Sequence, residues 1–126
     1  MSTSHQFDVL ISEVGPREGL QSVATTMATV DKCAWIDALV AAGVQEIEVG
    51  SFVSPKLLPQ MADAAELVQH AIRHVGVTIM ALVPNLKGAE AAIRAGAHKI
   101  TLPVSASPPD SMANVRKTPG QMVAQV

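Results

Sequence analysis

Apolar residues follow two rhythms along this chain, and the rhythms alternate. The runs "FDVLISEVG" (7–15), "VQEIEVG" (44–50), "GVTIMALVP" (76–84) and "AHKITLPVS" (97–105) are short and rich in Val and Ile, which predicts four strands. Between them the apolar residues recur every three or four positions, as one face of a helix requires. Cys33, Trp35 or Ile36, Leu39 and Val40 mark a helix that Thr29 or Asp31 would cap and that Gly43 would end in a left-handed conformation. Leu67, Val68, Ala71, Ile72 and Val75 form the stripe of a second helix over residues 61–75. A third spans 85–96 with Asn85 as its cap, and a fourth starts at Thr118 with Pro119 at its first helical position. "SVATTMA", "SFVSPKLLPQ" and "ASPPDSMANVRK" read as loops. The order βαβαβαβα predicts an α/β protein with a parallel sheet and helical crossovers. "LVAAGVQEIEV" and "AIRAGAHKITL" echo one another, as repeated βα units would. Four such units are half of a TIM (β/α)8 barrel, which typically takes about 250 residues. Residues 1–126 are therefore expected to form one partial, truncated barrel domain, with a four-stranded open α/β domain as the other reading.

Composition narrows the function classes. Apolar residues are 48% of the chain and charged residues 16%, which suits a buried core rather than disorder. A net charge of -2, two Phe, one Trp and no Tyr argue against a nucleic-acid partner, which calls for clustered cations and stacking aromatics. No apolar run is long enough for a membrane span, and the N-terminal "MSTSHQFD" has no signal-peptide pattern, so a soluble cytoplasmic protein is expected. The single Cys33 forms no intramolecular disulfide and sits at a helix-core position, not that of a nucleophile.

The scarce charges gather where strands run out. "EVGPREGLQ" (13–21) places Arg17, Glu18 and Gln21 after the first strand. Glu48 and Ser51 belong to the end of the second, Asn85 follows the third, and Ser105 and Ser107 follow the fourth. In parallel α/β folds the C-terminal strand ends carry the ligand site. Carboxylates such as Glu18 and Glu48 suit hard divalent cations, though from spacing alone a salt bridge to Arg17 or a solvated loop acid is the commoner explanation. Arg17 offers five donors in a fixed fork, which suits a carboxylate or a developing oxyanion. Gln21 can orient water or substrate, and Gly15 and Gly19 would admit unusual backbone conformations. His70 and His74 share a helix face, but lack the acid companion of an H-E-x-x-H motif and read as ordinary helix histidines.

"EVGPREGLQ", "IEVGSFVSPKLLPQMAD", "VPNLKGAEAAIRAGA" and "VSAS…ANVRKT", in that order, resemble the N-terminal half of the hydroxymethylglutaryl-CoA lyase family of metal-dependent TIM barrels, from about Val9 to Val126. The resemblance implies retro-Claisen cleavage of 3-hydroxy-3-methylglutaryl-CoA to acetyl-CoA and acetoacetate, with Mg²⁺ or Mn²⁺ as cofactor. It implies Glu18 as a metal ligand, Arg17, Gln21 and Glu48 as catalytic residues, and Ser51, Asn85, Ser105 and Ser107 as substrate contacts. It also implies an acyl-CoA partner and a homodimer when the protein is full length. Two features depart from the family pattern: Glu18 stands where the family has Asp, and Pro108 stands where relatives carry an acid. The family's His-x-His pair, Asn ligand and mobile cysteine belong to its second half, so the isolated chain is expected to be inactive. A related acyl-CoA lyase or aldolase with another substrate, and a non-catalytic, self-associating half barrel, are the other readings.

Overall fold

Parallel strands with helical connections account for the architecture. A computed structural model describes residues 8–126. After a π-helical turn at Gly15–Gly19 come helix α1 (Thr29–Ala41) and strand β1 (Glu46–Ser51). A 3₁₀ turn at Pro59–Met61 leads into α2 (Ala64–Ala71), then β2 (Thr78–Leu82), α3 (Leu86–Ala95) and β3 (Lys99–Thr101). Two helices, α4 (Pro108–Val115) and α5 (Pro119–Gln125), complete the described chain. The strands form a parallel sheet in the order β1-β2-β3, with Ile47 opposite Ile79 and Ala81 opposite Ile100.

Alternation along β1 sorts its side chains onto two faces. Ile47 and Val49 point to the helical layer, where they join Ile79, Ala81, Val83, Ile36, Leu67, Val68 and Ala71 in a single apolar core. Glu46 and Glu48 point the other way, yet both are buried. That face is closed by charge pairing. Lys99 Nζ lies 3.2 Å from Glu46 Oε1, the Ser12 hydroxyl donates to the same carboxylate, and Arg17 covers Glu48.

Four expectations change. The first strand contracts to one parallel bridge, in which Glu13 N donates to Glu46 O at 2.9 Å and Glu48 N donates to Glu13 O at 2.9 Å. Val9, Leu10 and Ile11 have the composition of a strand but pair with nothing described and stay exposed; Phe7 lies outside the described residues. Helix α1 starts after Ala28, whose methyl side chain cannot cap it; Thr29 and Asp31 both lie inside the first turn, and the Thr29 hydroxyl donates to Asp63 Oδ2 at 2.8 Å. Helix α2 is shorter than the apolar stripe suggests, and Val75, beyond its end, is 99% exposed. The stretch around Pro108 is helical rather than a loop: Ser107 caps α4, and Pro108 occupies its first turn, where a missing N–H costs nothing. The other termini match expectation. Asn85 Oδ1 accepts from Gly88 N at 2.9 Å, Thr118 and Gln121 form a capping box, and Gly43 has φ +94°.

Candidate active site at the strand ends

Glycine shapes the turn that carries Arg17 by its size rather than by its φ. A Cβ on Gly15 would lie 2.8 Å from Glu13 Oε1 and 3.0 Å from the Trp35 ring, and neither Gly15 nor Gly19 has a positive φ. The bare backbone lets Gly15 N donate to Glu13 Oε1 at 2.8 Å, which closes the turn against α1. Gly15→Ala therefore lowers stability by about 1–3 kcal/mol, the usual penalty of overpacking, and urea denaturation measures it.

The turn delivers Arg17 and Glu18 to one side of β1. Arg17 Nε donates to Glu48 Oε1 and Nη1 donates to Glu18 Oε2. The two acids differ in setting: the Glu48 side chain is 2% exposed and the Glu18 side chain 65%. Glu48 thus anchors the guanidinium from below, while Glu18 meets it from solvent. Arg17 Nη2 makes no hydrogen bond among the described residues, so its donors are unspent there.

Gln21 and Ser51 form the adjoining pair. Ser51 Oγ donates to Gln21 Oε1 at 2.7 Å, and Gln60 Nε2 donates to Gln21 O at 2.6 Å. Ser51 is fully buried, so its hydroxyl acts by orienting Gln21. Asn85, exposed at the end of β2, spends its amide oxygen on the α3 cap. Ser105 Oγ donates to Ser107 O at 3.3 Å, and Ser107 Oγ accepts from Asp110 N at 3.5 Å. Arg17, Glu18, Glu48, Gln21 and Ser51 are therefore joined by direct contacts or short chain segments, whereas Asn85, Ser105 and Ser107 follow neighbouring strands and serve local backbone groups.

A cleft of about 660 Å³ lies beside this cluster and not over it. Ser51 and Asn85 contribute to its wall, with Met61, Ala64, Lys87 and Arg94 from the loops and helices α2 and α3. Arg17, Glu18 and Glu48 do not line it.

The loop over the site hangs on a buried cation that linear spacing did not reveal. Lys32, 1% exposed on α1, donates from Nζ to Gln60 O at 2.6 Å and to Asp63 Oδ1 at 2.8 Å. Gln60 in turn holds Gln21, so α1 is linked to the candidate site through this network. The available signal was a lysine four residues before Ile36, on the apolar stripe. Cys33, next to it, has its thiol pushed up by burial and by the nearby Asp37 and Asp63 carboxylates, which keeps it protonated and unreactive. His98 accepts from Ile79 N through Nδ1 at 3.0 Å and serves the sheet.

A parallel sheet flanked by helices, with an arginine–carboxylate cluster at the strand ends, has the arrangement of part of an α/β barrel. Residues 8–126 match the HMGL-like family model, and the chain belongs to that family. It is 47% identical over 107 residues to the 3-hydroxy-3-isohexenylglutaryl-CoA/hydroxymethylglutaryl-CoA lyase of Pseudomonas aeruginosa, covering 85% of this chain and 36% of that protein. Among solved structures, the Acinetobacter baumannii HMG-CoA lyase in complex with coenzyme A and 3-methylmalate matches with a TM-score of 0.86 at 40% identity, over 92% of this chain and 38% of that one. The Bacillus subtilis HMG-CoA lyase matches with a TM-score of 0.88 at 39% identity, over 93% and 39%. The chain thus spans well under half the length of these relatives and corresponds to the N-terminal portion of their TIM barrels. No helix among the described residues is long and apolar enough to cross a membrane.

Proposed function

We propose that this chain is the N-terminal part of the catalytic domain of a cytoplasmic, homodimeric carbon–carbon lyase that cleaves 3-hydroxy-3-methylglutaryl-CoA to acetyl-CoA and acetoacetate. The observation that carries the reading is the Arg17 fork, anchored on buried Glu48 and with Nη2 unspent among the described residues, in a chain of the HMGL-like family.

The chemistry follows from charge. A base takes the proton of the tertiary hydroxyl, the alkoxide collapses to the ketone of acetoacetate, and the C–C bond electrons pass into the thioester to form the enolate of acetyl-CoA. Protonation of that enolate carbon completes the reaction. In this reading Arg17 uses its unspent donors to meet the enolate oxygen as charge develops, and so binds the transition state more strongly than the ground state. Glu48 fixes the fork, and Gln21, held by Ser51 and Gln60, presents its amide to the same side. Asn85, Ser105 and Ser107 border the acyl-CoA from the neighbouring strand ends.

Glu18 fits a divalent cation such as Mg²⁺ or Mn²⁺ as an exposed oxygen donor, with Glu48 on the far side of the shared Arg17 guanidinium; no trio of acids, imidazoles or thiols that includes Glu18 is gathered among the described residues. When bound, such a cation makes the hydroxyl easier to deprotonate. Glu18 carries one methylene more than Asp, and its side chain, paired with Arg17 Nη1 but 65% exposed, leaves room for loop adjustment to absorb the added length. The Pseudomonas relative is named for two acyl-CoA substrates, which favours a related 3-substituted glutaryl-CoA as the second reading.

The test uses the protein expressed from its own gene, stripped with chelator and resupplied with Mn²⁺. The reading predicts stoichiometric acetyl-CoA and acetoacetate from hydroxymethylglutaryl-CoA, lost on chelation. Intact substrate under both conditions contradicts it, and cleavage of only the longer 3-substituted analogue selects the second reading.

A further inference from the structure

Two helix histidines that looked ordinary in isolation converge on an acid from another helix. Asp37 of α1 receives both His70, in the last turn of α2, and His74, in the turn beyond it. Each Nε2 lies 2.7 Å from the same oxygen, Asp37 Oδ1, and the rings sit 6.1 Å apart at 72°. The three donor atoms lie within 4.8 Å of one another, the one such trio among the described residues. The histidine side chains are 21% and 29% exposed and Asp37 is 45% exposed, so the trio is held by packing and is still open to solvent. The two histidine contacts hold the Asp37 carboxyl below its ordinary range, with His74 contributing most.

We propose that Asp37, His70 and His74 form a binding site for a borderline transition-metal ion, Zn²⁺ above all, separate from the cation site at Glu18. Two imidazoles and one carboxylate are the ligand set that Zn²⁺ prefers, whereas Mg²⁺ and Ca²⁺ select oxygen. The place is also different. His74 precedes β2 by four residues, at the N-terminal end of the strands, and Glu18 follows the Glu13 bridge toward their C-terminal end. Zn–N and Zn–O distances of about 2.0–2.2 Å need Asp37 to step back from the rings, which its exposed side chain permits.

Arg73 supplies a brake that distinguishes a metal site from a hydrogen-bonded clasp. Its Nη2 lies 2.8 Å from His70 Nδ1, so that nitrogen accepts and the proton of the neutral ring sits on Nε2. Metal binding at Nε2 requires the proton to move to Nδ1, which displaces Arg73. The guanidinium also repels a dication. Removing Arg73 therefore strengthens metal binding, while a purely structural clasp would gain nothing.

The test titrates the chelator-stripped protein with Zn²⁺ by calorimetry and with Co²⁺ by visible absorption, with thermal melts confirming that each variant folds. The proposal predicts one Zn²⁺ per chain at this site, tetrahedral Co²⁺ bands, and tightening by about tenfold in Arg73→Gln, the scale of an outer-shell change. His74→Gln weakens binding at least as much and removes the Co²⁺ bands, Glu18→Gln leaves them in place, and excess Mg²⁺ does not compete. Absence of Zn²⁺ binding in both wild type and Arg73→Gln overturns the proposal. So does binding that His74→Gln leaves unchanged, or bands that vanish with Glu18→Gln.

Discussion

Lys32→Ala is expected to lower folding stability by about 3–5 kcal/mol, the cost of breaking a buried ion pair from one side. The lysine is all but inaccessible, and its ammonium satisfies both Gln60 O and Asp63 Oδ1. Its loss leaves Asp63, 15% exposed, with the Thr29 hydroxyl in place of a cation, and opens the space that the lysine stem filled. Lys32→Met separates the two costs, since methionine restores most of the volume and none of the charge. It should still lose about 2 kcal/mol or more, because a partly buried carboxylate remains uncompensated. Chemical denaturation of the three proteins gives the comparison; a methionine variant as stable as wild type would mean that packing alone is at work. The same network reaches Gln21 through Gln60, so both variants should also loosen the loop between β1 and α2.

Arg17→Ala is expected to have the second large effect, on both stability and the proposed chemistry. Glu48 is deeper than Asp63, and Arg17 is the cation on it. Removal of the guanidinium strands that carboxylate, for a loss again of about 3–5 kcal/mol. Adding Glu48→Gln to Arg17→Ala removes the uncompensated charge and should restore a substantial part of the stability without restoring activity. Equal stability of the single and double variants would show that Glu48 does not depend on Arg17. The double variant keeps the two expected consequences apart: stability should follow charge balance at Glu48, and the proposed turnover should follow the fork itself.

How much of this was legible in the sequence differs from element to element. The βα alternation showed clearly, because buried parallel strands and amphipathic helices leave different periods in a chain. Asn85 and Thr118 were legible as caps because capping is a local interaction. The first strand was not, since Val9, Leu10 and Ile11 have strand composition but a strand exists only where a neighbour pairs with it, and here the pairing is confined to Glu13. Helix α4 was missed because prolines suggest a loop, although in the first turn after Ser107 they favour a helix. The Arg17 cluster was legible as a concentration of charge, but not its layering, with Glu48 beneath and Glu18 outside. The Lys32–Asp63 pair and the Asp37 trio join residues more than thirty positions apart, on packed elements whose spacing along the chain does not predict contact. Asp63, part of the "PQMAD" stretch that suggested the family, proves to be the partner of that buried lysine.

The proposed catalysis depends on a planar guanidinium, aimed by Glu48, meeting oxygen charge at the strand ends. Turnover of hydroxymethylglutaryl-CoA by Arg17→Lys, in the protein expressed from its own gene, tests this most directly, because lysine keeps the charge on Glu48 but not the fork. The prediction is a fall in kcat of about 10²–10³, the scale of losing one oxyanion donor, with KM and stability much less affected. A lysine variant that turns over at the wild-type rate would contradict it.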